Sequence, residues 1–191
     1  MPSPIAHTSL LFLALPAAQG AATLTLPRRV ALAAMLAVLL VAPDLDFAVS
    51  LLNLADAKAA HGTWTHSLII AIPAGILFAG CARFVFPAGA RPGFIRLGLV
   101  GAAAYASHVL MDWTNWGFGN ARGIQLLWPL STDRFLSPVH AFVGLRWSEP
   151  GAYGSHLLTL STELLFAALV FMVVRRRRPV AGLVDEIGVG S

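Results

Sequence analysis

The sequence predicts an all-α integral membrane protein of about five transmembrane helices, closed on its outer side by a tryptophan-rich cap of short helices. Three observations carry that expectation. Of the 191 residues, 57% are hydrophobic and only 12% charged, about half the ~25% charged share of a soluble domain. Mean hydropathy is +0.74. The apolar residues gather into five runs, roughly 4–19, 29–42, 67–86, 95–111 and 157–174, each near the ~17–25 residues that cross a bilayer.

In chain order, Ser3-Pro4 reads as an N-cap with proline in the first turn, which puts His7 one turn into the first helix. No basic residue precedes this run, so it is expected to remain as a span rather than be cleaved as a signal peptide. Pro43 ends the second run, and Thr65 or Ser67 is placed to cap the third. The stretch 113–156 carries Trp113, Trp116, Trp128 and Trp147 among glycines and prolines. It reads as the cap, with short interfacial helices near 122–128 and 135–145. Residues 1–178 form one membrane-embedded domain, and 179–191 are expected to be a disordered cytoplasmic tail.

Arginines set the orientation. Arg175 to Arg178 follow the last run directly, the usual place for a cytoplasmic anchor. With five spans, that end being cytoplasmic puts the N-terminus outside and Arg28, Arg29, Arg83, Arg91 and Arg96 inside, as the positive-inside rule asks. All six histidines and all five tryptophans then fall at or near the outer face. The net charge of +4 needs no nucleic-acid partner; membrane lipid is the expected surrounding. Cys81, the one cysteine, rules out a disulfide within the chain and reads as a small buried hydrophobe.

The chemistry gathers at the ends of apolar runs. His108 and Asp112 stand four residues apart in SHVLMD, so a helix presents both on one face. An imidazole and a carboxylate there are costly unless a cation, water or a partner compensates them. Asp44 and Asp46 in PDLD offer one carboxylate to bind a cation and another to orient a histidine or bridge a second metal, although Asp46 could instead cap a helix over Leu45–Ala55. His61 and His66 in HGTWTHS converge only if a loop leads into the third span. His7 joins the same outer edge. A mixed histidine–carboxylate set suits zinc, manganese or iron(II) alike. Glu163, inside the fifth span, is a candidate general base or a group hydrogen-bonded to a neighbouring helix. Arg122 and Arg134 are the cations best placed to hold a phosphate; His140 and His156 read as outer-surface residues.

SPIAHTSL, PDLD, HGTWTHS, SHVLMDWTN and LLWPLSTDRF resemble, in that order, the sequence blocks of the YdjM family, membrane proteins of bacteria and archaea regarded as metal-dependent hydrolases. The resemblance runs from Ser3 to about Phe135. It implies ligand roles for His7, Asp44, Asp46, His61, His66, His108 and Asp112. The family's arginine after the first histidine of the third block is missing here, where Gly62 follows His61; Arg122 or Arg134 could supply that charge. A more distant likeness is to zinc-dependent phospholipases C, whose ligands follow the same order but end in a His-x-x-x-Glu pair. Here Leu160 stands where that glutamate would be, against a three-metal site.

The expected function is a membrane-bound, metal-dependent hydrolase of a phosphoester such as a lipid head group, with Asp46 or Asp112 taking the proton of the attacking water. The alternative is a structural or interaction protein whose metal clamps helix ends without turnover. A transporter is disfavoured, because the cytoplasmic halves of the spans carry no matching ionisable groups.

Overall fold

The computed structural model describes residues 3–46, 61–116, 123–144 and 151–177. Among the described residues six helices form the body: α1 (Pro4–Ser9), α2 (Leu11–Gln19), α3 (Leu26–Val41), α4 (Ala71–Ala82), α5 (Phe94–Trp113) and α6 (Tyr153–Arg177). All five apolar runs are helical. Three helical stretches are long and apolar enough to cross a membrane, Leu26–Leu45, Phe94–Trp113 and Tyr153–Arg176, while Ile5–Gln19 and Ala71–Ala82 are shorter. The first run breaks at Leu10 into α1 and α2. The third starts late, because residues 64–70 form turns around the histidine loop rather than helix.

Side chains are sorted as a bilayer demands. Val30, Val38, Ile72, Leu77, Ile95, Leu99, Leu157 and Leu165 point outwards and exposed, whereas His7, His66, His108, Asp112 and Glu163 are buried. Apolar residues facing out while ionisable ones face in is the arrangement for lipid surroundings. Cys81 departs from expectation: it is exposed on the outside of α4, at no cost where the solvent is hydrocarbon.

The main core joins α2, α3, α4 and α5. Leu32, Leu36 and Leu40, one turn apart on α3, meet Phe78, Ala79 and Ala82 of α4 and Leu97 and Ala104 of α5. A Cβ on Gly75 would lie 2.4 Å from the Gly98 carbonyl oxygen, and one on Gly101 2.7 Å from the Phe78 ring. Helix backbones come this close in membranes where small residues permit it, and van der Waals attraction then holds the pair together. Helix α1 docks by Ala6 against Met111 of α5 and Phe142 of the cap, with Phe166 of α6 beside them.

The cap is not built as expected. The short helices foreseen near 122–128 and 135–145 are replaced, among the described residues, by turns and extended pairings. Strand β1 (Asn115–Trp116) pairs in parallel with β2 (Phe142–Val143), and Ile124 bridges Phe135. Gly123 explains the difference: its φ of +68° is poor for helix, and a Cβ there would meet the Phe135 carbonyl oxygen at 2.6 Å. The foreseen helix over Leu45–Ala55, the tail 179–191, Arg122 and Trp147 lie outside the described residues.

Gly75→Val should lower the detergent-solubilised protein's unfolding temperature markedly, by overpacking worth about 1–3 kcal/mol or more. Gly80→Val, whose Cβ would meet nothing within 4 Å, should leave it nearly unchanged; equal effects would refute tight α4–α5 packing.

Candidate metal centre

Four segments converge at one end of the bundle. Helix α1 brings His7, and Ser3 starts that helix as foreseen, its hydroxyl accepting from the Ile5 N–H with Pro4 in the first turn. After α3 the chain tightens into a 3-10 turn, Ala42–Leu45, which presents Asp44 and then Asp46. His61 and His66 come from the loop ahead of α4, where Gly62 takes φ +74° so that the chain can double back. His108 and Asp112 come from one face of α5, with Nε2 and Oδ2 3.4 Å apart. All seven ligand candidates named from the sequence therefore meet in one place.

Asp112 is the centre. It is buried, as are His7, His66 and His108. Its Oδ2 lies 3.0 Å from His66 Nε2, 3.4 Å from His108 Nε2 and 3.8 Å from His61 Nε2, while Oδ1 lies 3.6 Å from His7 Nε2. Asp44 Oδ1 approaches His108 Nε2 at 3.5 Å and His66 Nε2 at 3.8 Å. The His7 and His108 rings stack at 3.7 Å. Most of these separations are too long for good hydrogen bonds. They match co-ligands: two atoms about 2.1 Å from one tetrahedral cation stand about 3.4 Å apart.

The remaining ring nitrogens show how the imidazoles are aimed. His108 Nδ1 donates to the Leu40 carbonyl at 2.7 Å, one of the last carbonyls of α3, which have no partner within the helix. That bond fixes the tautomer and leaves the Nε2 lone pair for a cation. His66 Nδ1 faces Asp46 Oδ2 at 3.3 Å, and His61 Nδ1 faces Asp46 at the same distance. Asp46 also accepts from the Gly62 N–H and the Thr65 hydroxyl, at 3.3 and 3.2 Å. Asp46 thus orients two histidines through their outer nitrogens, while Asp44 is the member of the pair that stands among the ligand atoms.

Two overlapping groups are spaced to hold a metal: Asp44, His61, His66 and Asp112 form one, and His7, His108 and Asp112 the other. Among the described residues, both His7 nitrogens, His108 Nε2 and Asp44 Oδ1 are buried without a hydrogen bond. Orphaned polar atoms of this kind are costly, and a shared cation would satisfy His108 Nε2, Asp44 Oδ1 and one of the two His7 nitrogens together. The donor set fits a divalent metal.

The other candidates divide. Glu163, a candidate general base or supporting carboxylate from the sequence, accepts from the backbone N–H and hydroxyl of Ser3. A buried carboxylate at the start of α1 satisfies orphan donors there and fixes the helix that carries His7. Arg134 donates to the Gly123 carbonyl at 2.9 Å and reaches the His61 carbonyl at 3.5 Å, so its guanidinium braces the histidine loop. His140 is exposed and His156 half-buried; neither belongs to the two metal-spaced groups. Sequence reading missed Thr65 and the Leu40 carbonyl as supports, and the bond of Ser3 to Glu163. Only Thr65, beside His66 in TWTHS, carried a local signal.

The family model for YdjM inner membrane proteins matches residues 6–183. The chain belongs to the YdjM family. Inner membrane protein YbcI of Escherichia coli K12 is 31% identical over 119 residues, covering 60% of this chain and 62% of that protein; the match thus spans about three-fifths of the relative's length. No solved structure matches the chain. Family and apolar helices together place this YdjM protein in the membrane.

Burial by itself favours protonated Asp46, but hydrogen bonds from His61 and His66 prevail and hold its carboxyl well below the usual carboxylate range. Burial lowers the proton affinity of His66, and its bonds to Asp112 and Asp46 outweigh that and raise it. A metal must displace the His66 proton. Metal retained against a competing chelator should therefore fall as pH drops from about 8 to about 6; pH-independent retention would argue against His66 as a ligand. Asp46→Asn should weaken metal affinity by about 10–100-fold while leaving the ligand set in place, measured by the same competition.

Proposed function

We propose that this YdjM protein is a membrane-bound, metal-dependent hydrolase of a phosphoester, with a lipid head group as the substrate class and zinc as the preferred metal, ahead of manganese or iron(II). The observation that carries the reading is Asp112: one buried carboxylate common to two ligand groups, its Oδ2 towards His66 and its Oδ1 towards His7. A purely structural metal site is normally closed by four ligands around one ion. A carboxylate shared between two groups is the arrangement of sites that clamp a phosphoryl group.

When bound, a divalent cation here supplies Lewis-acid polarisation of a phosphoryl oxygen and acidifies a water, bringing its pKa towards ~7. His7, His61, His66, His108, Asp44 and Asp112 would hold it. Asp46 keeps its oxygens on Thr65, Gly62 and the two histidines, which makes it a poor proton acceptor. The acceptor is better sought in Asp44, whose side chain is 16% exposed against 1% for Asp112. Arg134, which braces the His61 loop through its carbonyl, is the described candidate for an anionic head group; Arg122 remains a second candidate from the sequence.

Orientation follows the charges. The arginine-bearing helix ends, at Arg28 and Arg29, Arg83, Arg96, and Arg175 and Arg176, lie at the other end of the spans from the cluster. The positive-inside rule then puts the N-terminus and the cluster outside and the C-terminus in the cytoplasm. Trp64 and Trp128, 6.2 Å apart beside the cluster, suit the head-group layer there.

Since the ligands come from four segments, the competing reading is a metal clamp without turnover. A panel of phospholipids and soluble phosphoesters, offered to the zinc-loaded protein in bilayer discs, separates the two. Hydrolysis that disappears in His108→Ala and on chelation, and returns with zinc, is the expected result. No turnover of any substrate, together with a large fall in unfolding temperature on chelation, would establish the clamp instead.

A further inference from the structure

Helices α2 and α6 leave a groove of about 350 Å³ lined by Leu11, Phe12, Leu15, Pro16, Phe171 and Val174, and by Arg29 and Arg175 from the arginine-bearing end of the bundle. Its volume is at the lower end of ligand pockets, ~300–1,000 Å³. Phe12 and Phe171 meet edge to face at 5.9 Å and form one wall. Both arginines are exposed, and neither makes an ion pair or a side-chain hydrogen bond among the described residues. Arg29 stands fifteen residues before Asp44, a mostly helical step of about 22 Å, so the arginine end of the groove is well removed from the metal centre.

We propose that this groove binds an anionic phospholipid of the surrounding leaflet, with its phosphate on Arg29 and Arg175 and part of an acyl chain along Leu11, Leu15 and Phe171. Charge complementarity selects the occupant. Two arginines line one groove without a carboxylate partner among the described residues, and guanidinium matches phosphate by paired N–H donors. Between them lies an apolar trough open to hydrocarbon, which a soluble anion would leave unfilled. Basic pockets between transmembrane helices are the sites at which anionic head groups are held. Arg28 and Arg176, next to the rim arginines in sequence, add attraction for an anionic leaflet. Pro16 contributes to the shape: placed inside α2, it cannot donate the helical hydrogen bond of that turn, and it lines the groove.

The test is native mass spectrometry of the full-length, metal-loaded protein released from detergent with dioleoyl-phosphatidylglycerol or dioleoyl-phosphatidylcholine. Wild type should retain the glycerol lipid in preference to the choline lipid. Removing two cationic contacts worth about 1 kcal/mol each, as in R29Q/R175Q, should weaken retention about 30-fold. Leu15→Trp fills the trough with both arginines intact, and should abolish retention too. Metal content and unfolding temperature report whether each variant folds; should the double variant fail, R175Q alone, at the exposed end of α6, gives the same reading with a smaller loss. Equal retention of the two lipids by wild type overturns the proposal. So does undiminished retention by folded Leu15→Trp, which would mean that the arginines attract lipid without any groove.

Discussion

Asp112 is a fully buried carboxylate inside an apolar bundle, and most of the architecture around it answers that one electrostatic problem. Taking a carboxylate out of water costs several kcal/mol even after relaxation, and the hydrocarbon on the outside of the helices offers nothing in return. Four imidazoles surround it, and the outer nitrogens of three of them, His61, His66 and His108, are aimed in turn by Asp46 and the Leu40 carbonyl. Each of those supports depends on a further feature: the early end of α3, the reversal at Gly62, and the Ser3–Glu163 contact that seats α1. Loss of the central charge would leave this shell without a reason to converge.

The helices supply rigidity where the site needs it. Close backbone approach at Gly75 and Gly98 fixes α4 against α5, and so fixes the loop carrying His61 and His66 against the face carrying His108 and Asp112. Tyr105 adds a second tie, donating to the Thr65 carbonyl from within α5. The cap completes the scaffold, since Ser67 donates to the carbonyls of Leu126 and Trp128 and Gln125 N–H donates to Gly62. All of these ties end on backbone carbonyls, but those from Tyr105 and Ser67 are made by their hydroxyls and need those side chains.

How much of this was legible in the sequence depended on distance along the chain. The i, i+4 pairing of His108 and Asp112 follows from helix geometry alone, and the Ser3-Pro4 cap from local hydrogen bonding. Composition was enough for the membrane class and for the arginine-rich end. The division of labour between Asp44 and Asp46 was not legible, because it is decided by Gly62 and Thr65 in a loop some sixteen residues further on. Glu163 was harder still: its partner Ser3 lies 160 positions away. The cap was misread as helical because the pairing of Ile124 with Phe135 and of β1 with β2 leaves no periodic mark, although Gly123 and Pro129 gave warning of irregular backbone.

The order in which the ligands occur along the chain has its own consequence for biogenesis. His7 leaves the ribosome first, the aspartates of the second span next, the paired histidines after them, and Asp112 last, once the helix that carries it has entered the bilayer. Before that moment the earlier groups have no common centre, and a cation would find only fragments of a coordination shell. Capture of the proposed metal therefore has to wait until α5 is in place, and the seating of His7 waits further for Glu163 of α6.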